Sequence, residues 1–342
     1  MDDALAYLDG QWAWGVEDVT SDVAALDTSG RWAVVLPYDG LPTCVRFRHW
    51  SRGLATESSI GAWSGPAVSS WTSSMNAEQY RDAVARTRVE IERGEVYQAN
   101  ICRVMRAPMP DPHQQDVAAL FTLLQQGNPA PYGGFLRVPS IGMHLASASP
   151  ELFLKRIGNI LKSGPIKGTG RTAADLLPKD EAENVMIVDL MRNDLSRICK
   201  TGSVTVPALL RLERHPGLVH LVSDVVGELV AGTGWSKVID ATFPPGSVTG
   251  APKSSALRLI AELETASRGP YCGGFGWVDA DARTASLAVT IRTFWLEGAD
   301  LLFGTGAGIT WGSDPAGEWQ ETELKAHRLM SLASGIWQGE VP

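Results

Sequence analysis

Gly273-Gly274-Phe275-Gly276-Trp277-Val278, then Ala285-Ser286-Leu287-Ala288-Val289-Thr290-Ile291-Arg292-Thr293-Phe294-Trp295-Leu296, then Leu301-Leu302-Phe303 follow one another with no helical pattern between them. Runs rich in β-branched and aromatic residues and punctuated by glycine predict strands. Outward from this segment, similar runs occur at Arg31 to Pro37, Val96 to Met105, Tyr132 to Val138, Gly142 to Ala146 and Leu218 to Leu229. Helices do not alternate one for one with these runs, so the expected class is α+β with largely antiparallel sheets. Residues 1 to 75 are less patterned and rich in Trp, Ser and Gly, and are expected to form a short N-terminal region packed on a core domain over 76–338.

Four helices are signalled. The first starts after Asn76, with Gln79 placed for a capping box, and stops at Gly94. The second spans Lys179 to Ile198; the third opens at Pro252 and carries Leu257, Ile260 and Leu263. The fourth has Asp314 as N-cap, Pro315 in the first helical position and Gly335 as its stop. On the second helix Asp180 and Glu183 share a stripe that continues through Ile187 and Leu190 to Asp194, and on the fourth Glu318, Glu321 and Lys325 share another. Glu321 and Lys325 also fit a plain surface ion pair. If the two acidic stripes meet, they make an oxygen site with few protein ligands, which suits magnesium.

Composition is that of an ordinary globular chain: 342 residues, 44% hydrophobic and 20% charged, with 30 basic against 38 acidic residues and a formal charge of −8. No Lys/Arg run offers a footprint for phosphates, so nucleic acid is not an expected partner. Cys44, Cys102, Cys199 and Cys272 are scattered, which suggests neither a disulfide framework nor a zinc site. The acidic N-terminus and the lack of a long apolar run point to a cytoplasmic protein with no membrane segment.

Three segments bear on chemistry. Lys167 stands in Pro165-Ile166-Lys167-Gly168-Thr169, where a turn brings backbone close to a ligand and an amine can act as a nucleophile; a solvated surface charge is the alternative. Gly304-Thr305-Gly306-Ala307-Gly308 follows a strand and can offer bare amides to an anion, with Arg292 as a bidentate clamp, although such glycines are also ordinary turns. Pro245 to Ser255 has a P-loop flavour but the wrong spacing, and Cys272 lacks the partners of an amidotransferase nucleophile.

Taken in order, the motifs resemble a known family. They are Tyr97-Gln98-Ala99-Asn100, Ser149-Pro150-Glu151-Leu152-Phe153, Pro165 to Thr169, Glu183 to Leu195, His220-Leu221-Val222-Ser223, Gly246 to Lys253, Gly269 to Gly273, Ile291-Arg292-Thr293, and Gly306-Ala307-Gly308 with Glu318 to Thr322. Together they resemble the chorismate-utilising enzymes over roughly residues 75 to 335, most closely the branch leading to para-aminobenzoate. The resemblance implies two stacked, largely antiparallel β-sheets flanked by helices, with chorismate and Mg2+ between them. It also implies site residues: Glu183 and Glu321 as magnesium ligands, with Asp180 and Glu318 acting through water. Arg292, Tyr271, Gly306 and Gly308 would grip the substrate carboxylates, and Thr249, His220 and Lys325 would line the same pocket.

Two positions bear on the product. Water-using members of the family resemble one another in a lysine base where this chain has Gln98, so the resemblance implies ammonia as nucleophile. Anthranilate synthases typically have alanine where this chain has Lys167, whereas the aminodeoxychorismate enzymes have lysine. That implies amination at C4, with Lys167 as nucleophile and Glu151 as the acid for the departing hydroxyl. The chain ends at Pro342 without a glutaminase-sized extension, so a separate glutamine amidotransferase subunit is the expected source of ammonia. Gly170-Arg171-Thr172 departs from the family's arginine-proline-arginine sequence. Asn128-Pro129-Ala130-Pro131-Tyr132 resembles half of a regulatory tryptophan site, and reads equally as a turn entering a strand.

Overall fold

The computed structural model describes residues 3–53, 60–111, 114–170, 172–176, 178–215 and 218–336. Arg171, which completes the unusual Gly170-Arg171 pair, lies outside them. Six α-helices are present among the described residues: α1 (Ala77–Glu92), α2 (Val117–Gly127), α3 (Pro178–Ser196), α4 (Trp235–Thr242), α5 (Lys253–Leu263) and α6 (Pro315–Ala333). The four expected helices are α1, α3, α5 and α6. Asn76 and Gln79 close the capping box on α1, and Asp314 caps α6 through the Gly317 amide. No described helix is long and apolar enough to cross a membrane.

The strands join into one continuous antiparallel ladder that supplies two facing layers. One layer runs from Thr205–His215 through Leu218–Glu228, Ile160–Gly164, Leu152–Ile157, Thr284–Val289 and Gly274–Asp279 to Arg31–Leu36. The other contains Gly134–Val138, Met143–Ser147, Thr293–Glu297, Asp300–Ile309 and Gln98–Pro108. Strands Leu5–Leu8, Gln11–Thr20 and Thr43–Ser51, all within the poorly patterned N-terminal region, connect the two. Packing between the layers is apolar: Val104, Trp295 and Leu302 of one share a buried cluster with Phe153, Leu154, Leu287 and Val289 of the other.

One expected strand is two. The run Ala285 to Leu296 breaks at Thr290-Ile291-Arg292, because Thr284–Val289 pairs in the first layer and Thr293–Glu297 in the second. The glycine run 304–308 lies inside the strand Asp300–Ile309 rather than in a turn after it, and Lys167 lies in the strand Ile166–Gly170 rather than on a turn. Both corrections have the same cause: a flanking strand is available to pair with each segment and holds it in the ladder instead of a turn.

Phe294 ties α6 to the second layer. It is fully buried with Phe303, ring centroids 4.6 Å apart, in a cluster that includes Ala326 and Leu329. Phe294→Ala should lower the unfolding free energy by about 3–5 kcal/mol in urea titrations; a loss under about 1 kcal/mol would contradict this account of the core.

Candidate active site

The site grows from the place where two strand connections cross between layers side by side. Met143–Ser147 pairs with Thr293–Glu297, and Leu152–Ile157 pairs with Thr284–Val289, so residues 148–151 and 290–292 must both cross. They are stitched together: the Ala148 amide donates to Arg292 O (3.0 Å), the Val289 amide to Glu151 O (3.0 Å), and Ser149 Oγ to Val289 O (2.6 Å). This fixes Glu151 and Arg292 at one seam.

Glu151 is buried. Burial pushes its carboxyl above the ordinary carboxylate value, and the Ser247 hydrogen bond, the Lys167 charge and the Ile166 amide only partly oppose that. Arg292 adopts φ 53°, in the left-handed region where a large side chain is uncommon. No carboxylate pairs with it among the described residues, and desolvation lowers its pKa. A poorly hydrated guanidinium without an anion suits a carboxylate-bearing ligand.

Lys167 reaches the same region from the strand Ile166–Gly170. Its Nζ donates to Ser247 O at 3.3 Å. The strand is irregular against Val222 and His220, and at Gly168 (φ 83°) a Cβ would stand 2.9 Å from Asp180 Cβ in the first turn of α3. Only glycine permits that approach. Gly308 is a second close meeting: a Cβ there would lie 2.2 Å from Gln98 Nε2 and 3.6 Å from Lys167 Nζ. Gln98 is buried, and its Oε1 has no hydrogen-bond partner.

The amides of Gly306 and Gly308 are free for a reason visible in the ladder. Gly306 faces Cys102 and Gly308 faces Asn100. The Cys102 amide donates to Glu264 Oε1 (2.7 Å) and the Asn100 amide to Thr249 O (2.7 Å), both away from the glycine strand. These are therefore non-hydrogen-bonded pairs, and the glycine amides point to the opposite edge. There the pairing with Thr293–Glu297 stops at Phe294 and Phe303, so among the described residues no strand takes up the Gly306 and Gly308 amides.

The two acidic helices face each other across this edge. Burial raises the Glu183 carboxyl, against the charges of Lys167 and Lys179 and with the help of Asp180 and Glu321. Glu318 is likewise raised by burial, its Ser313 hydrogen bond opposing and Glu321 adding to the shift. For Glu321 burial also acts upward, but the Lys325 charge and hydrogen bond, with Lys179 and Lys167 behind, outweigh it and hold the carboxyl below its ordinary value. Lys325 Nζ lies 2.6 Å from Glu321 Oε1, as the surface-pair reading expected, and also 3.3 Å from Gly306 O, on the glycine strand.

Among the described residues no three His, Cys, Asp or Glu side chains gather into a ready-made metal cage. Two mutually repelling carboxylates, one from each helix, remain. That donor set fits an ion such as magnesium, which keeps waters and takes substrate oxygens.

Other expected residues form walls. The Tyr271 ring packs on Gly304, where a Cβ would meet its Cγ at 2.1 Å. Thr249 Oγ1 is used within its own turn, donating to Pro245 O at 3.0 Å. His220 is buried on Leu218–Glu228 opposite Thr169. Lys253, in the rejected P-loop-like segment, binds Asp194 (2.6 Å) and joins α5 to α3, which removes Asp194 from the acidic site. Pro131 and Tyr132 line a cavity of ≈ 20 Å³ with Leu8, Asp9 and Trp277, room for about one water.

Lys179 was not expected in the site, yet its charge acts on Glu183, Glu318 and Glu321. The signal was present: a lysine in the first turn of a helix opposes the helix dipole and needs a local anion.

Residues 48–331 match the family model for the chorismate binding enzyme. The chain is 39% identical over 266 residues to an anthranilate synthase component 1 of Haloarcula marismortui, covering 74% of this chain and 53% of that protein. It is 35% identical over 275 residues to the aminodeoxychorismate synthase component 1 of Escherichia coli, covering 77% and 59%. It thus spans little more than half the length of these curated relatives. Anthranilate synthase component I from Streptococcus pneumoniae shares the fold, with a TM-score of 0.77, 22% identity, and 96% of this chain and 89% of that chain covered. The architecture is thus that of a known group, and the chain belongs to the chorismate-binding enzyme family.

Proposed function

We propose that the protein aminates chorismate at C4, the component I activity of an aminodeoxychorismate synthase, giving 4-amino-4-deoxychorismate. The observation that carries this reading is the amine of Lys167, set beside Gln98 and electrostatically coupled to the protonation-prone Glu151.

The chemistry follows from those three groups. Arg292 and the amides of Gly306 and Gly308 hold the substrate's carboxylates, with Tyr271, Thr249, His220 and Lys325 around them. Lys167 Nζ forms a bond to C2 as the ring double bond shifts and the C4–O bond breaks; Glu151 gives its proton to the departing hydroxyl, which leaves as water. Ammonia then adds at C4, the double bond returns, and the C2–N bond to Lys167 breaks. Gln98 has no basicity with which to activate water, and its unpaired Oε1 is a ready acceptor for an N–H. Glu183 and Glu321, with Asp180 and Glu318 behind them, would hold a magnesium ion, which would supply electron withdrawal from the bound substrate. Ammonia is supplied by a separate glutamine amidotransferase subunit, consistent with relatives designated component 1.

A second reading, anthranilate synthase, is favoured by the identity to the Haloarcula protein. The products separate the two. Incubated with chorismate, magnesium and ammonium, the protein should yield the 4-amino product by mass spectrometry, and Lys167→Ala should lower its rate by about a hundredfold or more. Fluorescent anthranilate formed without an added lyase, or an unaffected Lys167→Ala, would overturn the assignment.

The raised pKa of Glu151 keeps its proton available to higher pH than an ordinary carboxyl, so kcat/KM should fall as pH rises through that raised value. Glu151→Gln should remove this alkaline limb and cost about 10²–10⁴ in kcat. A pH profile unchanged by the substitution rules Glu151 out as the acid.

A further inference from the structure

We infer that Glu264 and Arg268 are positioning residues that hold the backbone amides of Gly306 and Gly308 in their anion-accepting orientation. The inference rests on the reading that those amides receive a substrate carboxylate. Neither residue faces the glycine strand; both act through the strand Gln98–Pro108 behind it.

The outer edge of that strand is covered only in part. The short strand Gly250–Ala251 pairs with Ala99 and Gln98, and Thr72–Ser73 with Arg106 and Met105. Between them, at Asn100 and Cys102, the ion pair takes over. Glu264 Oε1 accepts the Cys102 amide (2.7 Å), while Arg268 Nη2 donates to Asn100 O (2.6 Å) and Nη1 to Val248 O (2.9 Å). The pair is closed by two bonds, Nε to Glu264 Oε2 at 2.9 Å and Nη2 to Oε1 at 2.6 Å. Arg268 is 1% exposed and its guanidinium lies over Tyr38, 4.4 Å from the ring centroid.

These contacts fall on the two residues opposite Gly308 and Gly306. By taking the outward backbone groups of Asn100 and Cys102, the pair makes the outward orientation the satisfied one in a buried place. A slip by one residue would turn the glycine amides into the ladder and remove them from the pocket. A planar guanidinium can serve two carbonyls and a carboxylate at once, whereas an ammonium on a flexible stem cannot hold that arrangement.

Chorismate binding in the presence of magnesium, measured by calorimetry, tests this without reference to product. Arg268→Lys and Glu264→Gln should each raise Kd by about tenfold to a hundredfold. In ¹⁵N-glycine spectra the ligand-induced shifts of the Gly306 and Gly308 amides should shrink with them. Asp116→Asn breaks a comparably buried pair with Arg137, remote from the glycine strand, and should lower Tm while leaving Kd within about twofold. If Arg268→Lys does not fold, Glu264→Gln decides alone. A wild-type Kd retained in the folded variants, or a Kd shift as large in Asp116→Asn, overturns the inference while the proposed function stands. A wild-type protein that binds no chorismate brings down both.

Discussion

The hydrogen bonds between the two crossing segments, Ala148 to Arg292 and Glu151 to Val289, are the constraint on which the rest depends. Each segment leaves one layer and enters the other, and neither could do so alone without stranding buried backbone groups. Crossing together, they satisfy each other. Because a side chain at a crossing belongs to neither sheet face, Glu151 and Arg292 escape the alternation that would otherwise bury them in apolar core or turn them to solvent. An acid with a raised pKa and a guanidinium without an anion result from topology as much as from residue type.

Charge is arranged against the overall balance of the chain. A protein with a formal charge of −8 gathers Lys167, Lys179 and Lys325 around Glu183, Glu318 and Glu321, with Lys167 also acting on Glu151. Neither sign is fully matched by close pairing: Lys325 sits on Glu321, whereas Arg292 has no carboxylate partner among the described residues. On the proposed reading, such a site suits a ligand with several carboxylates and a cation together, because each alone would leave the other set of charges poorly compensated.

The sequence made α1 and α6 legible because caps and spacing agree in them, and α3 and α5 legible by the spacing of their side chains. It hid α2, whose face is apolar nearly all round, and α4, which is short and begins at Gly234 without a side-chain cap. Of the strands before residue 75, Arg31–Leu36 was legible, whereas Leu5–Leu8, Gln11–Thr20 and Thr43–Ser51 escaped; Gln11–Thr20 is only partly buried along most of its length. Thr205–His215 escaped for a similar reason, as an edge strand with two register shifts. Motif resemblance brought the site residues to notice, and local reading alone did not, since Lys167 and Glu321 are ordinary charges until distant segments are placed beside them. Arg268 stayed hidden because an arginine four residues after a glutamate reads as an exposed pair, and only tertiary contacts show it buried.

On the proposed reading, in which the Gly306 and Gly308 amides receive the substrate carboxylate, an evolutionary consequence follows. A donor that belongs to the backbone cannot be deleted by exchanging a side chain, so the grip on the shared part of the substrate persists while nearby side chains drift. Positions such as 98 and 167 are then free to vary, and new outcomes can arise on an unchanged anchor. The cost of this freedom falls on the glycines themselves: a Cβ at 306 would meet Cys102 Sγ at 2.6 Å, and one at 308 the Gln98 amide at 2.2 Å. Variation in chemistry is thus bought with invariance of shape.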